Sequence, residues 1–237
     1  MLRNISLVFL LLFSYSSVCF GSQALNIIEE IPVQEGGRVK PFLSFANEVT
    51  LFITGKHRFQ GQSPAATVIE WIAMPEESAK KPIIPVTYKP LQEEFGEAVI
   101  NGRISPEVVL QNRLFLQKVE VAAVKKRNKD SLTALEEKRL EAHERAMLFS
   151  AIAQGLTPGV IAKPDDPLES WMPFHYLGSE EGVHVLSQYY PVVNVQQVRG
   201  AFQALLEEGS IRGVEAVDLA TAELFSVSLK NLAASRD

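Results

Sequence analysis

SPEVVLQNRLFLQKVEVAAVKKRNKDSLTALEEKRLEAHERAMLFSAIAQG, running from Ser105 to Gly155, is the stretch whose reading decides the fold class. Ser105-Pro106 supplies a cap and a first-turn proline, the two residue types that open a helix. Leu110, Leu114, Val121 and Val124 then recur with helical spacing, predicting a buried stripe on one helix that ends near Arg127. Asn128-Lys129-Asp130-Ser131 breaks it. A second helix is predicted from about Leu132 to Gly155, with Leu135, Ala142, Phe149 and Leu156 every seven residues and Thr133 with Glu136 as a capping box. Two long helices joined by a short polar turn predict an antiparallel hairpin over 105–155, in a mainly α domain with few or no strands.

Upstream, over 25–100, Pro41 suits the first turn of a helix whose inward face is Phe42, Phe45, Ala46, Val49 and Ile53, stopped by Gly55. Ser63-Pro64 opens another, with Val68, Trp71 and Ile72 inward and Pro75 at its end. Lys81 to Tyr88 is extended, because each proline pushes its predecessor out of helical geometry; it forms at most an edge strand. The second region, 101–237, continues past the hairpin with a loop over 157–178, where Trp171, Phe174 and Tyr176 are expected to pack on the helices. Helices are then predicted from Glu180 to Tyr190, from Asn194 to Glu208 with Gly209 as the stop, and from Val214 to Ala233.

The 237 residues are 46% apolar and 22% charged, which fits a globular chain, and the net charge of -5 excludes an electrostatic case for nucleic-acid binding. Arg3, an apolar run from Leu7 to Phe13 and small residues between positions 19 and 24 have the layout of a secretory leader, 1–24, so export to the periplasm or the outer face of the cytoplasmic membrane is expected. The alternatives are retention as an anchor, for which the apolar stretch is short, and acylation at Cys19. Cys19 is the only cysteine, so a disulfide, a Cys-ligated zinc site and a Cys-x-x-Cys-His haem attachment are excluded.

Ile31-Pro32-Val33-Gln34-Glu35-Gly36-Gly37-Arg38-Val39-Lys40-Pro41 packs a Gln, a glycine pair, an Arg and a Lys-Pro between apolar residues just ahead of a helix. It resembles the opening of the soluble extracytoplasmic region in the fused System II cytochrome c synthases of the CcsBA type. Thr54-Gly55-Lys56, the Trp71 helix, Lys81-Pro82-Ile83-Ile84, His143-Glu144-Arg145 in the hairpin, the proline-rich stretch before Trp171 and the final helical pair resemble that region in order and spacing. Family members fuse it to membrane helices, a Trp-rich haem-handling segment and haem-ligating histidines, none of which this sequence carries. The resemblance therefore implies an accessory, non-catalytic subunit that docks a membrane-embedded synthase or apocytochrome c, with no cofactor of its own.

The candidate binding residues are Gln34, Gly36, Gly37, Arg38, Lys40, Lys56 and His57. Arg38 and Lys40 could aim two cations at one anionic group, a haem propionate or a partner carboxylate; the alternative is a glycine turn with both cations solvated. Lys56-His57-Arg58 follows a helix end, where the backbone carbonyls favour cations in any case. Lys125, Lys126, Arg127 and Lys129 form a basic knob, either a solvated turn or a contact for acidic lipid headgroups. His143 is expected to face solvent, and no histidine spacing suggests a metal. Two rival functions stay open: an envelope enzyme of hydrolase type using Asp165, Asp166, His175 or Glu144, and a soluble haem carrier.

Overall fold

The computed structural model describes residues 25–161, 170–189 and 195–212. The leader, Asp165-Asp166 and the helix expected over 214–233 lie outside them. Mainly α is the architecture, with a small antiparallel sheet against the helices.

After a helical turn at 25–29, strands β1 (Pro32–Glu35) and β2 (Arg38–Pro41) form a hairpin in the register Glu35↔Arg38 and Val33↔Lys40. Gly36 (φ 57°) and Gly37 (φ 76°) both sit at positive φ, which a two-residue hairpin turn of the I′ kind requires at its two central positions. Strands of four residues give no usable alternation in sequence, so the hairpin replaces the turn expected there. Pro41 closes β2, and the helix α1 (Phe42–Thr54) begins one residue later. Its predicted inward residues are all buried, and Gly55 (φ 70°) ends it with an N–H bond to Leu51 O at 2.8 Å.

Ser63 caps α2 (Pro64–Ala73) through Ala66 N–H, and Trp71 meets the Phe149 ring edge-on at 5.4 Å. Then follow α3 (Pro75–Lys80), β3 (Ile84–Pro85), α4 (Lys89–Phe95), a single 3-10 turn and β4 (Arg103–Ile104), which pairs with β3.

The arm predicted as one helix from Ser105 to Arg127 is two helices, α5 (Pro106–Gln111) and α6 (Arg113–Arg127). Asn112 leaves helical geometry, and its Oδ1 accepts from Phe115 N–H at 3.0 Å, capping α6. This restart turns the buried face by one residue: Phe115, Val119 and Ala122 point inward, whereas Leu114 (70% exposed), Val121 and Val124 face outward. α7 (Ala134–Ala153) starts on the predicted capping box, Thr133 with Glu136, and packs along α6. Ala142 and Phe149 are buried as expected; Leu156 lies beyond the helix and is exposed.

β5 (Gly159–Ile161) and β6 (Met172–Pro173) complete a sheet of order β2-β1-β5-β6, through the pairs Gln34↔Gly159 and Ile161↔Met172. Gly159 is required by close approach, since a Cβ there would stand 2.6 Å from Trp171 O. Part of the expected loop is therefore strand. α8 (His175–Gly178), α9 (Glu180–Tyr189) and α10 (Val195–Arg212) follow, and α10 runs through Gly209 without stopping. Phe174 stacks on Phe202 at 5.2 Å, fixing the aromatic segment to α10. One core, including Phe42, Phe45, Ile84, Phe149 and Ile161, runs through both regions of the chain.

Candidate functional site

β1 and β2 present their glycine turn and Arg38 to solvent. Arg38 is exposed and makes no ion pair among the described residues, and Val39 beside it is 55% exposed. Beyond its chain neighbours, nothing among the described residues lies within 4 Å of where a Cβ on Gly36 or Gly37 would stand, so the turn has open space there.

Lys40 behaves differently. Its Nζ donates to Glu35 Oε2 and to Glu48 Oε2, each at 2.6 Å, and stands 5.9 Å from the centre of the Phe45 ring. Partial burial works against its charge, but the hydrogen bonds and charges of the two carboxylates outweigh it and raise its pKa. Lys40 is thus a brace between the hairpin and α1. Gln34 is also turned inward: it is buried, and its Oε1 accepts from Trp171 N–H at 2.7 Å. Of the opening motif, Arg38 and Val39 face outward while Gln34 and Lys40 hold the hairpin in place.

Lys56 and His57 are exposed beyond the far end of α1. Thirteen residues of helix separate the two clusters by about 20 Å, too far for one small anion to bridge. The predicted set therefore divides into two places.

The basic knob is partly neutralised within the fold. Lys125 Nζ meets Glu136 at 2.6 Å and Lys126 Nζ meets Glu144 at 3.3 Å, leaving Arg127 and Lys129 exposed without ion pairs among the described residues. Lys125, together with the Thr133 N–H and hydroxyl, holds the Glu136 carboxyl down at about 2. His143 is half-buried where solvent exposure was expected, on an open groove of about 590 Å³ between α6 and α7 lined by Leu116, Val119, Ala123 and Leu140. Burial lowers its pKa against the opposing influence of Glu144. The break at Asn112 rotates α6 and so shapes this groove, which is why sequence spacing missed it.

Of the acids and bases of the rival enzyme reading, Asp165 and Asp166 lie outside the described residues, and Glu144 and His175 are not brought together. Glu144 pairs with Lys126 on the α6 side, while His175 begins α8 with its N–H bonded to Gly155 O, about 16 Å further along the α7 axis. Among the described residues no group of three His, Cys, Asp or Glu side chains could hold a metal. None of their helices is long and apolar enough to cross a membrane. One cluster was not singled out from sequence, because Arg103 meets the helical trio Lys138, Glu141 and Arg145 only in the fold: the four line a cleft of about 340 Å³ beside Thr54 and Tyr88. No family model matches the chain, and no curated protein matches it.

Proposed function

We propose that this chain is an accessory extracytoplasmic subunit of System II cytochrome c biogenesis, exported by its leader, which assists covalent haem attachment by docking a membrane-embedded synthase or apocytochrome c. It is a scaffold and not an enzyme. The observation that supports this reading is the build of the opening motif. A two-residue glycine turn projects Arg38 and Val39, one cation and one exposed apolar side chain, while Lys40 and Gln34 anchor the strands behind them. A fixed protrusion of mixed charge and apolar character suits a partner surface with a carboxylate beside an apolar patch.

Covalently attached haem survives denaturation, which makes the decisive experiment simple. A haem-stained denaturing gel of a strain lacking this gene, with no redundant copy, is expected to lose its c-type bands while b-type cytochromes persist. A version without residues 1–24 should fail to restore them. Normal c-type bands in the deletion strain would remove the reading, and a Soret shift on titrating the purified protein with haem would replace it with a haem carrier.

A further inference from the structure

The cleft between the C-terminal end of α1, the β3 segment and α7 holds more positive charge than the fold itself satisfies. Arg103 Nη1 donates to Ile83 O at 2.5 Å and Nη2 to Thr54 O at 2.9 Å, and its guanidinium lies 5.2 Å from the centre of the Phe59 ring. These partners fix its position but supply no formal counter-charge, since Arg103 has no carboxylate partner among the described residues. Arg145 Nη2 donates to Glu141 Oε1 at 2.5 Å, and Lys138 Nζ donates to Glu141 Oε2 at 2.6 Å. One carboxylate is therefore shared by two cations, with a third cation beside them. Arg145 Nε is buried and without a hydrogen-bond partner, an unfavourable condition for a buried donor.

We propose that this cleft binds an oxyanion, a carboxylate or phosphate group carried on a small molecule or chain segment, with Arg145, Lys138 and Arg103 as its cationic wall. The chemistry fits each part of the site. Guanidinium and ammonium groups converging on one cleft recognise the planar or tetrahedral oxygens of such groups. Pro85, Val86 and Leu91, with Tyr88, line the same space and suit a short organic stem behind the anionic head. Burial and the charge of Arg145 both lower the pKa of Arg103, as expected where like charges face one cleft, and a bound anion would relieve that repulsion. This inference is independent of the cytochrome reading.

The test is a titration of the full chain at constant ionic strength, with inorganic phosphate in one arm and succinate in the other. It is read by calorimetry and by the Arg Nε–H signals in an NMR spectrum. Saturable binding is expected in at least one arm, with a shift of the Arg145 Nε–H signal; the arm that responds identifies the source. R145Q and K138Q should each weaken binding at least tenfold, while R127Q, on the distant knob, should leave it unchanged. If R145Q fails to fold, K138Q on the surface of α7 decides. No saturable response in either arm, or an affinity unchanged by K138Q in a folded protein, would overturn the proposal.

Discussion

Gln34 Oε1 accepts the Trp171 N–H at 2.7 Å across 137 residues of chain, so the opening motif and the β6 segment are held by one side-chain bond as well as by the sheet. Gln34→Leu keeps much of the volume but leaves the part-buried Trp171 N–H without this acceptor, which is expected to cost about 1 kcal/mol. The loss should show as a lower melting temperature and faster hydrogen exchange at the Trp171 amide. Unchanged exchange there would mean that Gln34 is not what holds this segment.

Arg38 and Lys40 should separate cleanly by substitution. Arg38→Ala removes an exposed side chain and is expected to change stability by less than about 0.5 kcal/mol while weakening capture of the synthase or apocytochrome. Lys40→Met keeps the packing of the stem but leaves Glu35 and Glu48 without their shared cation, and should cost about 1 kcal/mol. Equal melting temperatures for both variants would contradict the brace.

His143 should make stability depend on pH near neutrality. Its folded pKa lies below the ordinary value of 6.5 because burial disfavours the charged ring. The unfolded chain therefore takes up the proton first, so the full stability is present above about pH 6.5 and declines as the pH falls through the folded pKa. His143→Gln should flatten the slope between pH 7 and 5 in urea unfolding. A slope identical to that of the parent protein would exclude the half-buried ring as its source.

Acid should act on Glu136 in a lower window. Its folded pKa of about 2 lies well below the ordinary carboxylate value of 4.5, so its stabilising effect is present above pH 4.5 and is lost as the pH falls toward 2. Glu94 contributes in the same direction, because Arg139, aided by Lys118, outweighs its burial and lowers its pKa. Glu136→Gln should reduce the acid dependence of unfolding below pH 4.5, and an unaltered acid limb would show that the Lys125 and Thr133 bonds do not persist in solution.

The helices were legible where a short-range signal marks them: Ser63-Pro64, Ser105-Pro106, the Thr133–Glu136 box and Gly55 each act within one turn, and each does what its residue type dictates. Asn112 was not legible, since an asparagine inside a helical pattern announces a cap only once its side chain is seen to bond Phe115 N–H. The sheet was hidden for another reason: strands of two to four residues carry no period, and the pairing of Gln34 with Gly159 is decided by tertiary contact. Within the candidate site, the sequence marked Arg38 and Lys40 as neighbours but could not show that two glutamates claim Lys40. The Arg103–Arg145 cleft was beyond reach, because its cations approach one another only when β4 and α7 are folded.

The order β2-β1-β5-β6 also sets a timetable. A ribosome delivers the hairpin early, at about 5–20 residues per second, but the strand that covers the inner edge of β1 is supplied only when Gly159 to Ile161 arrives, followed by β6. Until then the nascent chain exposes an unpaired edge with Gln34 open to solvent. The protrusion gains its support only once β5 and β6 have joined the sheet, so a prematurely terminated chain ending near Gly155 would carry the opening motif without the means to hold it.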